Sequence, residues 1–296
     1  MTTTKPIKER IRGLKTKYDS LRPGKESLLA MIDDAELPEN VYNSNAIENS
    51  TLTLQETEKI LLEQELSRDV SLREVYEAKN LARVIEYKRN NARNSAFSKE
   101  LILLLHQMLM GGIDDSFAGR FRKTGEYVRV GTHIAPAPEH VERMIEQILL
   151  DYSSDLETYF LDKIAKFHLE FETIHPFCDG NGRIGRVLIN LQFLKSGFPR
   201  IILRDKEKDS YYQSFRDYRE RNNTKTMERV LVLALMESLH KRIAYLVGDT
   251  IVTLSEYVRQ QQLSASSVTN AARRQTIPAF REKGVWKIGE SFRYTK

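Results

Sequence analysis

The chain has few residues that could cross-link it or anchor it in a membrane. Among its 296 residues there is a single cysteine, Cys178, which excludes an intrachain disulfide and a cysteine-based zinc site. No apolar run reaches the roughly 18 residues that a membrane-spanning helix needs. The first residues contain no basic segment followed by an apolar stretch, so we expect no secretory signal, a cytoplasmic location and no membrane contact.

The composition is that of an ordinary globular protein, with 41% hydrophobic and 29% charged residues. The length allows one large domain with a small appendage. The net charge of +5 is concentrated in the tail, because the residues from Thr253 onward contain eight Lys or Arg and three Asp or Glu. The tail is therefore predicted to meet an acidic partner or nucleic acid, although a solvated basic surface is the commoner explanation.

Apolar residues recur at three- and four-residue spacing through most of the chain, which predicts a mainly helical protein. The predicted helices are 5–21, 38–48, 54–66, 72–91, 98–110, 138–152, 156–174, 183–196, 206–221 and 225–247. Residues 120–131 differ, because β-prone runs flank Thr124-Gly125 and predict a short β-hairpin.

The last part of the chain changes character. We predict helices at 251–261 and 265–275, a further one between Pro278 and Gly284, and a final hairpin from 285–288 and 292–295. This order is typical of a winged helix-turn-helix. The predicted organisation is an N-terminal helical region at 1–70, a core at 71–248 and a winged-helix-like domain at 249–296.

Residues 175–186 read His-Pro-Phe-Cys-Asp-Gly-Asn-Gly-Arg-Ile-Gly-Arg and lie between two predicted helices. The Asp-Gly-Asn-Gly segment permits positive φ angles, so successive amide N–H groups can form a nest that binds an anion. The helix that begins near Arg183 adds the positive end of its dipole. This loop is therefore predicted to bind phosphate.

The side chains of the same stretch fit phosphate chemistry. Arg183 and Arg186 are three residues apart, so both can reach phosphate oxygens from one helical face. Asp179 supplies an oxygen ligand suited to Mg²⁺, and His175 has the side chain best suited to accept a proton near neutral pH. A helix end followed by an ordinary turn explains any one of these residues, but not the whole set.

The stretch matches the signature of the Fic family, His-Pro-Phe-x-Asp-Gly-Asn-Gly-Arg-x-x-Arg, at every specified position. The resemblance extends over about 40–215, where residues 128–134 resemble the family's flap and Tyr211-Tyr212 resembles the aromatic pair after its active-site helix. It implies a helical core with one β-hairpin. It also implies an enzyme that transfers AMP from ATP to a Ser, Thr or Tyr hydroxyl of a target protein and releases pyrophosphate.

The resemblance further implies a role for each matching residue. His175 would deprotonate the hydroxyl, Asp179 would hold Mg²⁺, and the flap at 127–131 would pair with an extended target segment. The related Doc-type kinases have a loop that resembles Asp-Ala-Asn-Lys where this chain has Asp-Gly-Asn-Gly. Gly182, in place of the lysine, therefore favours AMP transfer over phosphorylation. The implied nucleotide contacts are Phe177, Gly180, Asn181, Gly182, Arg183, Arg186, Tyr212, Val128 and Val130.

A second segment, Ser44 to Asn49, resembles the family's inhibitory motif Ser/Thr-x-x-x-Glu-Gly/Asn. The resemblance implies that Ser44, Glu48 and Asn49 form an inhibitory helix end, with Glu48 paired to Arg186 in place of the γ-phosphate. Glu48 could also orient a water that removes AMP from a modified target. An ordinary helix remains the alternative for this segment.

A different function stays open, namely a nucleotide-sensing regulator that binds DNA through 250–296. The supporting cations are Arg273, Arg274, Lys283, Lys287 and Arg293. Winged modules also serve as protein-docking or dimer contacts, so contact with DNA, with a protein or within a homodimer is left open.

Overall fold

The computed structural model describes residues 3–63, 70–91 and 96–294. Helices form most of this part of the chain. In order they are α1 Lys5–Leu21, α2 Glu26–Ile47, α3 Leu54–Glu58 followed by a π-helical turn at Lys59–Glu63, α4 Leu72–Asn91, α5 Lys99–Met110, α6 Pro138–Ser154, α7 Phe160–Ile174, α8 Asn181–Lys195, a 3₁₀ turn at Asp205–Glu207, α9 Lys208–Arg221, α10 Lys225–Leu246, α11 Leu254–Gln260 and α12 Ala265–Arg273.

Most predicted helices agree with these bounds to within a few residues, but the predicted start of α2 at 38 is wrong. The helix begins at Glu26 and contains Pro38 in its interior. Its first half is held by Asp33 and Glu36, which both pair with the buried Arg242 of α10. This tertiary contact outweighs the preference of proline for a helix start. The end of the predicted helix at 54–66 lies outside the described residues.

Helix α8 lies between two hydrophobic cores. One core contains Phe171 and Ile184 and joins α4, α5 and α6 to α7 and α8. The other contains Ile189 and Leu231 and packs α1, α9 and α10 against the opposite faces of α7 and α8. Because α8 is buried on most of its surface, its first turn and the loop before it are fixed by the core.

The β-hairpin of the core lies later in the chain than predicted. Strand β1 (Arg129–Val130) pairs antiparallel with β2 (His133–Ile134), so the predicted hairpin around Thr124-Gly125 is wrong. The buried Arg122 donates to the carbonyl oxygens of Glu126 and Pro136, which are thereby drawn to a side chain and not into a ladder.

The C-terminal unit consists of β3 (Ile251–Thr253), α11, α12, β4 (Phe280–Glu282) and β5 (Val285–Gly289), with strand order β3-β5-β4. The predicted helix between Pro278 and Gly284 is wrong. Lys283 and Gly284 have φ angles of 49° and 77° and form a two-residue turn between β4 and β5, as type I′ hairpins require.

Two further predictions in this unit need correction. Residues 251–253 form a strand and not the start of a helix, because Thr253 caps α11 through a capping box with Glu256. The predicted strand at 292–295 is absent over 292–294, and residue 295 lies outside the described residues. The winged helix-turn-helix classification stays a prediction.

Buried ion pairs attach the C-terminal unit to the helical core. Glu237 of α10 pairs with Arg204 and with Arg281 of β4. Glu39 of α2 pairs with Arg204 and accepts the backbone N–H groups of Lys283 and Gly284, each at 3.0 Å. The β4–β5 turn therefore rests directly on α2. Across the described ranges, no helix is both long and apolar enough to cross a membrane.

Candidate active site

The loop between α7 and α8 is closed by its own side chains. His175 ends α7 in the left-handed conformation with φ 50°, and Gly180 precedes α8 with φ 80°. The buried Asn181 accepts the N–H of Phe177 and donates to its carbonyl oxygen, both at 2.8 Å. The amide of Asn181, predicted as a nucleotide contact, thus holds the loop in shape.

His106 supports this loop from α5, although no sequence pattern predicts a role for it. Its Nε2 donates to the carbonyl oxygen of Asp179 at 3.0 Å, and its Nδ1 accepts the N–H of Gly119 at 3.0 Å. Burial lowers the pKa of His106 to about 4, which keeps the ring neutral for this pair of bonds. The ring stacks on Phe177 at 3.7 Å, so the Phe177 side chain lies in the core and not in an open cleft.

His175 lies at the mouth of the loop with its side chain 15% exposed. Burial lowers the pKa of His175 to about 4, so its imidazole is neutral near pH 7 and able to accept a proton. Arg122, which the sequence did not single out, donates to the carbonyl oxygens of His175 at 2.8 Å and Ile174 at 3.3 Å. These bonds fix the left-handed residue that carries the imidazole.

Glu172 lies one turn before His175, with 3.8 Å between its Oε2 and Nδ1 of the imidazole. Burial raises the pKa of Glu172 to about 8, the charge of Glu48 adds to this, and Arg186 opposes it. Its Oε1 has no hydrogen-bond partner in the described part of the chain. A Cβ at Gly185 would lie 2.5 Å from this oxygen and 2.7 Å from the His168 ring, so the signature's free position is restricted to glycine here.

Arg186 is held by the end of α2. Its Nη1 lies 2.8 Å from Oε1 of Glu48, its Nε donates to the Ser44 hydroxyl at 2.9 Å, and its Nη2 donates to the Ser44 carbonyl oxygen at 2.7 Å. Asn49 follows in the left-handed region with φ 66°, a conformation that Gly and Asn adopt most readily at a helix end. The structure thus brings Ser44, Glu48 and Arg186 together across the chain.

Gly182 makes room for this contact. A Cβ at Gly182 would collide with Oε1 of Glu48 and would lie 3.0 Å from Nη1 of Arg186. The Glu48–Arg186 pair therefore depends on the absence of a side chain at position 182.

Asp179 and Arg183 face α4 on the other side of the loop. Oδ1 of Asp179 lies 3.1 Å from Nη2 of Arg183, and its Oδ2 pairs with Arg73. Arg183 is also paired with Glu77, with 3.0 Å between Nη1 and Oε1. Burial would raise the pKa of Asp179, but Arg183, the N–H of Gly180 and Arg73 lower it below its usual value. Nothing in the sequence pattern pointed to Arg73 or Glu77.

A single carboxylate suits Mg²⁺, which binds proteins through one or two carboxylates and takes its remaining ligands from water and phosphates. Elsewhere in residues 3–63, 70–91 and 96–294, no three His, Cys, Asp or Glu side chains are grouped closely enough to hold a metal ion on their own. Asp179 therefore fits a magnesium ion that arrives with phosphates, provided that Arg73 releases Oδ2.

A cleft of about 640 Å³ opens beside His175. Its walls come from α2, the flap, the phosphate loop and α9. The hydroxyl of Tyr212 donates to the carbonyl oxygen of Ile47 at 2.7 Å, which ties α9 to the end of α2. The lining residues are Glu48, Asn49, Val130, Gly131, Thr132, Glu172, His175, Gly182, Asp209, Tyr211, Tyr212, Phe215, Arg216 and Arg219.

The flap lies over this cleft with an exposed edge. Val130 lines the cleft and is 36% exposed, whereas Ile134 and Tyr127 are more open to solvent. Val128 lies at the base, where its carbonyl oxygen accepts the N–H of Ala135 at 3.1 Å. His133 anchors the hairpin, with 2.9 Å between its Nε2 and the carbonyl oxygen of Thr173.

The loop, His175 and most of α8 lie in one stretch of the chain that matches a known protein family. The model of the Fic/DOC family matches residues 96–193, and the chain therefore carries a domain of that family. This confirms the predicted family and the mainly helical fold.

Two curated relatives are named as protein adenylyltransferases. The chain is 28% identical to protein adenylyltransferase fic-1 of Caenorhabditis elegans over 244 residues, which is 80% of this chain and 44% of that protein. It is 31% identical to protein adenylyltransferase Fic of Nematostella vectensis over 180 residues, which is 59% of this chain and 42% of that protein. The chain thus spans less than half the length of these relatives.

Solved structures agree with the fold. A Fic-domain-containing signalling protein from Bacteroides thetaiotaomicron matches with a TM-score of 0.75 at 24% identity, over 81% of this chain and 97% of its own. A Fic family protein from Desulfovibrio desulfuricans matches with a TM-score of 0.65 at 20% identity, over 99% of this chain and 98% of its own. At these identities the likeness extends to the fold alone.

Proposed function

We propose that the chain is a protein adenylyltransferase that transfers AMP from ATP to a Ser, Thr or Tyr hydroxyl of another protein. The observation that carries the proposal is the neutral, partly buried His175 beside a phosphate-type loop, at the edge of a cleft of about 640 Å³. That volume lies within the range of small-molecule sites. The activity named for the relatives supports the same reaction.

The chemistry follows from the groups around the loop. The N-terminus of α8, with the backbone N–H groups of Asn181 and Gly182, binds the phosphates of ATP, whereas the N–H of Gly180 is held by Oδ1 of Asp179. His175 takes the proton of the target hydroxyl, whose oxygen then forms a bond to the α-phosphorus. The bond from that phosphorus to the oxygen bridging the α- and β-phosphates breaks, so AMP remains on the target and pyrophosphate leaves.

Asp179 is the residue that would hold Mg²⁺ together with the ATP phosphates. When bound, the ion neutralises phosphate charge and favours departure of pyrophosphate. Arg73 must first leave Oδ2 of Asp179, which is compatible with its 56% exposed side chain. Tyr212 borders the adenine ring in this proposal.

The target protein docks on the flap at 127–131. The exposed backbone edge of β1 adds an extended target segment as a further strand and brings its hydroxyl to His175. Main-chain pairing of this kind reads little sequence, so several hydroxyl side chains are acceptable.

The end of α2 restrains the reaction. Glu48 occupies Arg186, the arginine proposed to hold the γ-phosphate, and Ser44 and Asn49 keep the helix end in position. A charge-assisted pair of this type contributes about 1.5–3 kcal/mol, so it suppresses productive ATP binding roughly ten- to hundredfold. Glu48 also remains a candidate for orienting a water that removes AMP.

The contacts of the C-terminal unit favour a role in packing against the rest of the chain over a role in DNA binding. Lys283 pairs with Glu58, Lys287 pairs with Glu282, and Arg293 donates to nearby carbonyl oxygens. Three of the five cations predicted to meet DNA phosphates thus have partners within the protein. We therefore propose the unit as a support for α2.

Replacement of His175 by Ala tests the proposed base. ATP binding should persist while labelling with radioactive ATP and Mg²⁺ falls to background, because the imidazole contacts the attacking hydroxyl and not the nucleotide. Titration calorimetry measures the ATP affinity of the variant. The exposed His140 changed to Ala is the control and should label normally. Loss of ATP binding together with labelling in the His175 variant would contradict the assignment.

Replacement of Asp179 by Ala tests the proposed metal ligand. The variant should lose the Mg²⁺-dependent part of ATP binding as well as labelling, since the ion joins the protein to the phosphates. ATP affinities measured with Mg²⁺ and with EDTA give this difference without reference to turnover. An Asp179 variant that labels at the full rate is incompatible with the proposed role.

A further inference from the structure

A second cleft, of about 600 Å³, lies between α2 and the C-terminal unit. It is nearly as large as the cleft beside His175 and does not share a lining residue with it. Its walls come from α2, from the start of α3, from the segment before α9, from α12 and from the β4–β5 hairpin. The lining residues are Glu39, Tyr42, Asn43, Leu54, Arg204, Asp205, Lys206, Glu207, Arg273, Arg281, Lys283, Gly284 and Trp286.

The acidic side chains of this second cleft already have partners. Glu39 is buried and pairs with Arg204. Asp205 lies 3.1 Å from Nζ of Lys208, and Glu207 lies 2.8 Å from Nη1 of Arg281. Each of these carboxylates thus has a cation beside it, and the cleft lining contains five Lys or Arg against three Asp or Glu, so the carboxylates oppose an anionic ligand only weakly.

Two cations of the same cleft have no such partner. Lys206 and Arg273 are exposed, and within the part of the chain that the structure describes neither side chain forms a hydrogen bond or an ion pair. They come from separate elements, the 3₁₀ turn before α9 and the end of α12. Two uncompensated cations thus lie in one concave site, where low-dielectric walls strengthen their attraction for an anion.

The second cleft also contains an aromatic wall. Trp286 is half-buried, and the guanidinium carbon of Arg281 lies 4.5 Å from the centre of its ring. Tyr42 of α2 is half-buried on the same cleft. A flat ring can therefore pack against this wall while anionic groups reach the cations.

We propose that the second cleft is a binding site for a nucleotide, with Lys206 and Arg273 bound to phosphate groups and the base packed on Trp286. The volume lies in the range of small-molecule sites, which favours a free nucleotide over a nucleic-acid duplex. This site is separate from the proposed site of ATP turnover, and its occupancy does not depend on the adenylylation reaction.

Titration calorimetry of the full chain tests the site directly. The background protein carries Asp179→Ala and Arg186→Ala, and EDTA is present, so that nucleotide binding beside His175 is weakened. ADP and pyrophosphate are the probes, and adenosine tests the ring alone. In this background ADP should still bind with a stoichiometry near one, and its affinity should fall as NaCl rises.

Paired variants then locate the binding. Lys206→Gln with Arg273→Gln should weaken ADP at least tenfold, whereas Lys225→Gln with Arg274→Gln, changed at exposed positions outside the cleft lining, should leave the affinity within twofold. Circular dichroism checks that both pairs are folded. The proposal fails if the background protein binds no ADP, if both pairs weaken ADP equally, or if adenosine binds as tightly as ADP. If pyrophosphate binds as tightly as ADP, the proposed packing of the base on Trp286 is wrong.

Discussion

The two sides of the phosphate loop hold equally buried arginines in different ways. The side chains of Arg186 and Arg183 are 5% and 4% exposed. Arg186 meets Glu48, a 38% exposed residue at the end of α2, whereas Arg183 meets Glu77, a 13% exposed residue inside α4. The first carboxylate lies at a helix end and is partly open to solvent, whereas the second lies within a helix and is mostly buried.

This difference suggests separate roles for Arg183 and Arg186, for which the sequence predicts the same role. Both arginines were predicted to hold phosphates because they share a helical face. Arg183 is engaged by Glu77 and by Asp179, so it is better placed to orient that carboxylate than to follow a triphosphate. We infer that regulation acts on Arg186 and that Arg183 supports the loop.

The largest expected effect is on stability and concerns Glu172 of α7, whose carboxyl group lies near Glu48 and Arg186. Its pKa of about 8 exceeds the ordinary value of 4.5, so the folded state retains a proton that the unfolded chain releases between these values. This contribution is fully present below pH 4.5 and is lost as pH rises through 8. Relative to the parent, Glu172→Gln should therefore gain stability that is small at pH 5 and grows to on the order of 3–5 kcal/mol near pH 9.

Thermal and urea unfolding at a series of pH values measures that difference. The exposed Glu157 changed to Gln controls for the loss of one carboxylate from α7's flanking segment. Parallel stability curves for the parent and the Glu172 variant would mean that this carboxyl group is not strained in the folded protein.

Glu48→Gly breaks the α2 side of the comparison directly. Removal of the pair frees Arg186, and labelling should rise roughly ten- to hundredfold for a contact of about 1.5–3 kcal/mol. The double variant with Arg186→Ala should lose most of that gain, since residues in one network do not add. Labelling rates at fixed ATP give both values. Unchanged labelling by the single variant with intact ATP binding would leave Ser44 to Asn49 as an ordinary helix end.

Arg73→Gln breaks the α4 side and should have the smallest effect. An ion pair as exposed as that of Arg73 with Asp179 contributes about 0.2–1 kcal/mol, so its loss should lower the Mg²⁺ concentration for half-maximal ATP binding by up to roughly fivefold. Arg83→Gln, exposed on the same helix, is the control. A higher Mg²⁺ requirement in the Arg73 variant would show that this arginine assists phosphate binding and does not compete with the metal ion.

The sequence predicted the part of the site that is local. Residues 175–186 carry their signature in one stretch, and the expected contact of Glu48 with Arg186 is present in the structure. Arg73 and Glu172 escaped prediction because their importance comes from long-range approach and from burial, neither of which leaves a periodic pattern. The roles of the site residues themselves remain predictions.

The hairpins were misplaced for a related reason. Thr124-Gly125 has the composition of a turn, but Arg122 draws the nearby carbonyl oxygens to itself and the ladder forms at 129–134. In the C-terminal unit, Lys283 adopts a left-handed conformation, so the turn lies directly before Val285. Propensity located turns in both regions, whereas tertiary contacts decided which residues became strands.

The bare α-carbon of Gly182 links the phosphate loop to the end of α2. Any larger residue there would displace Glu48, because a Cβ collides with its carboxylate. A side chain placed here to alter how a triphosphate sits would therefore also push the Glu48 carboxylate away from its present contact with Arg186. We therefore expect an engineered side chain at this position to change the proposed reaction and the proposed restraint together.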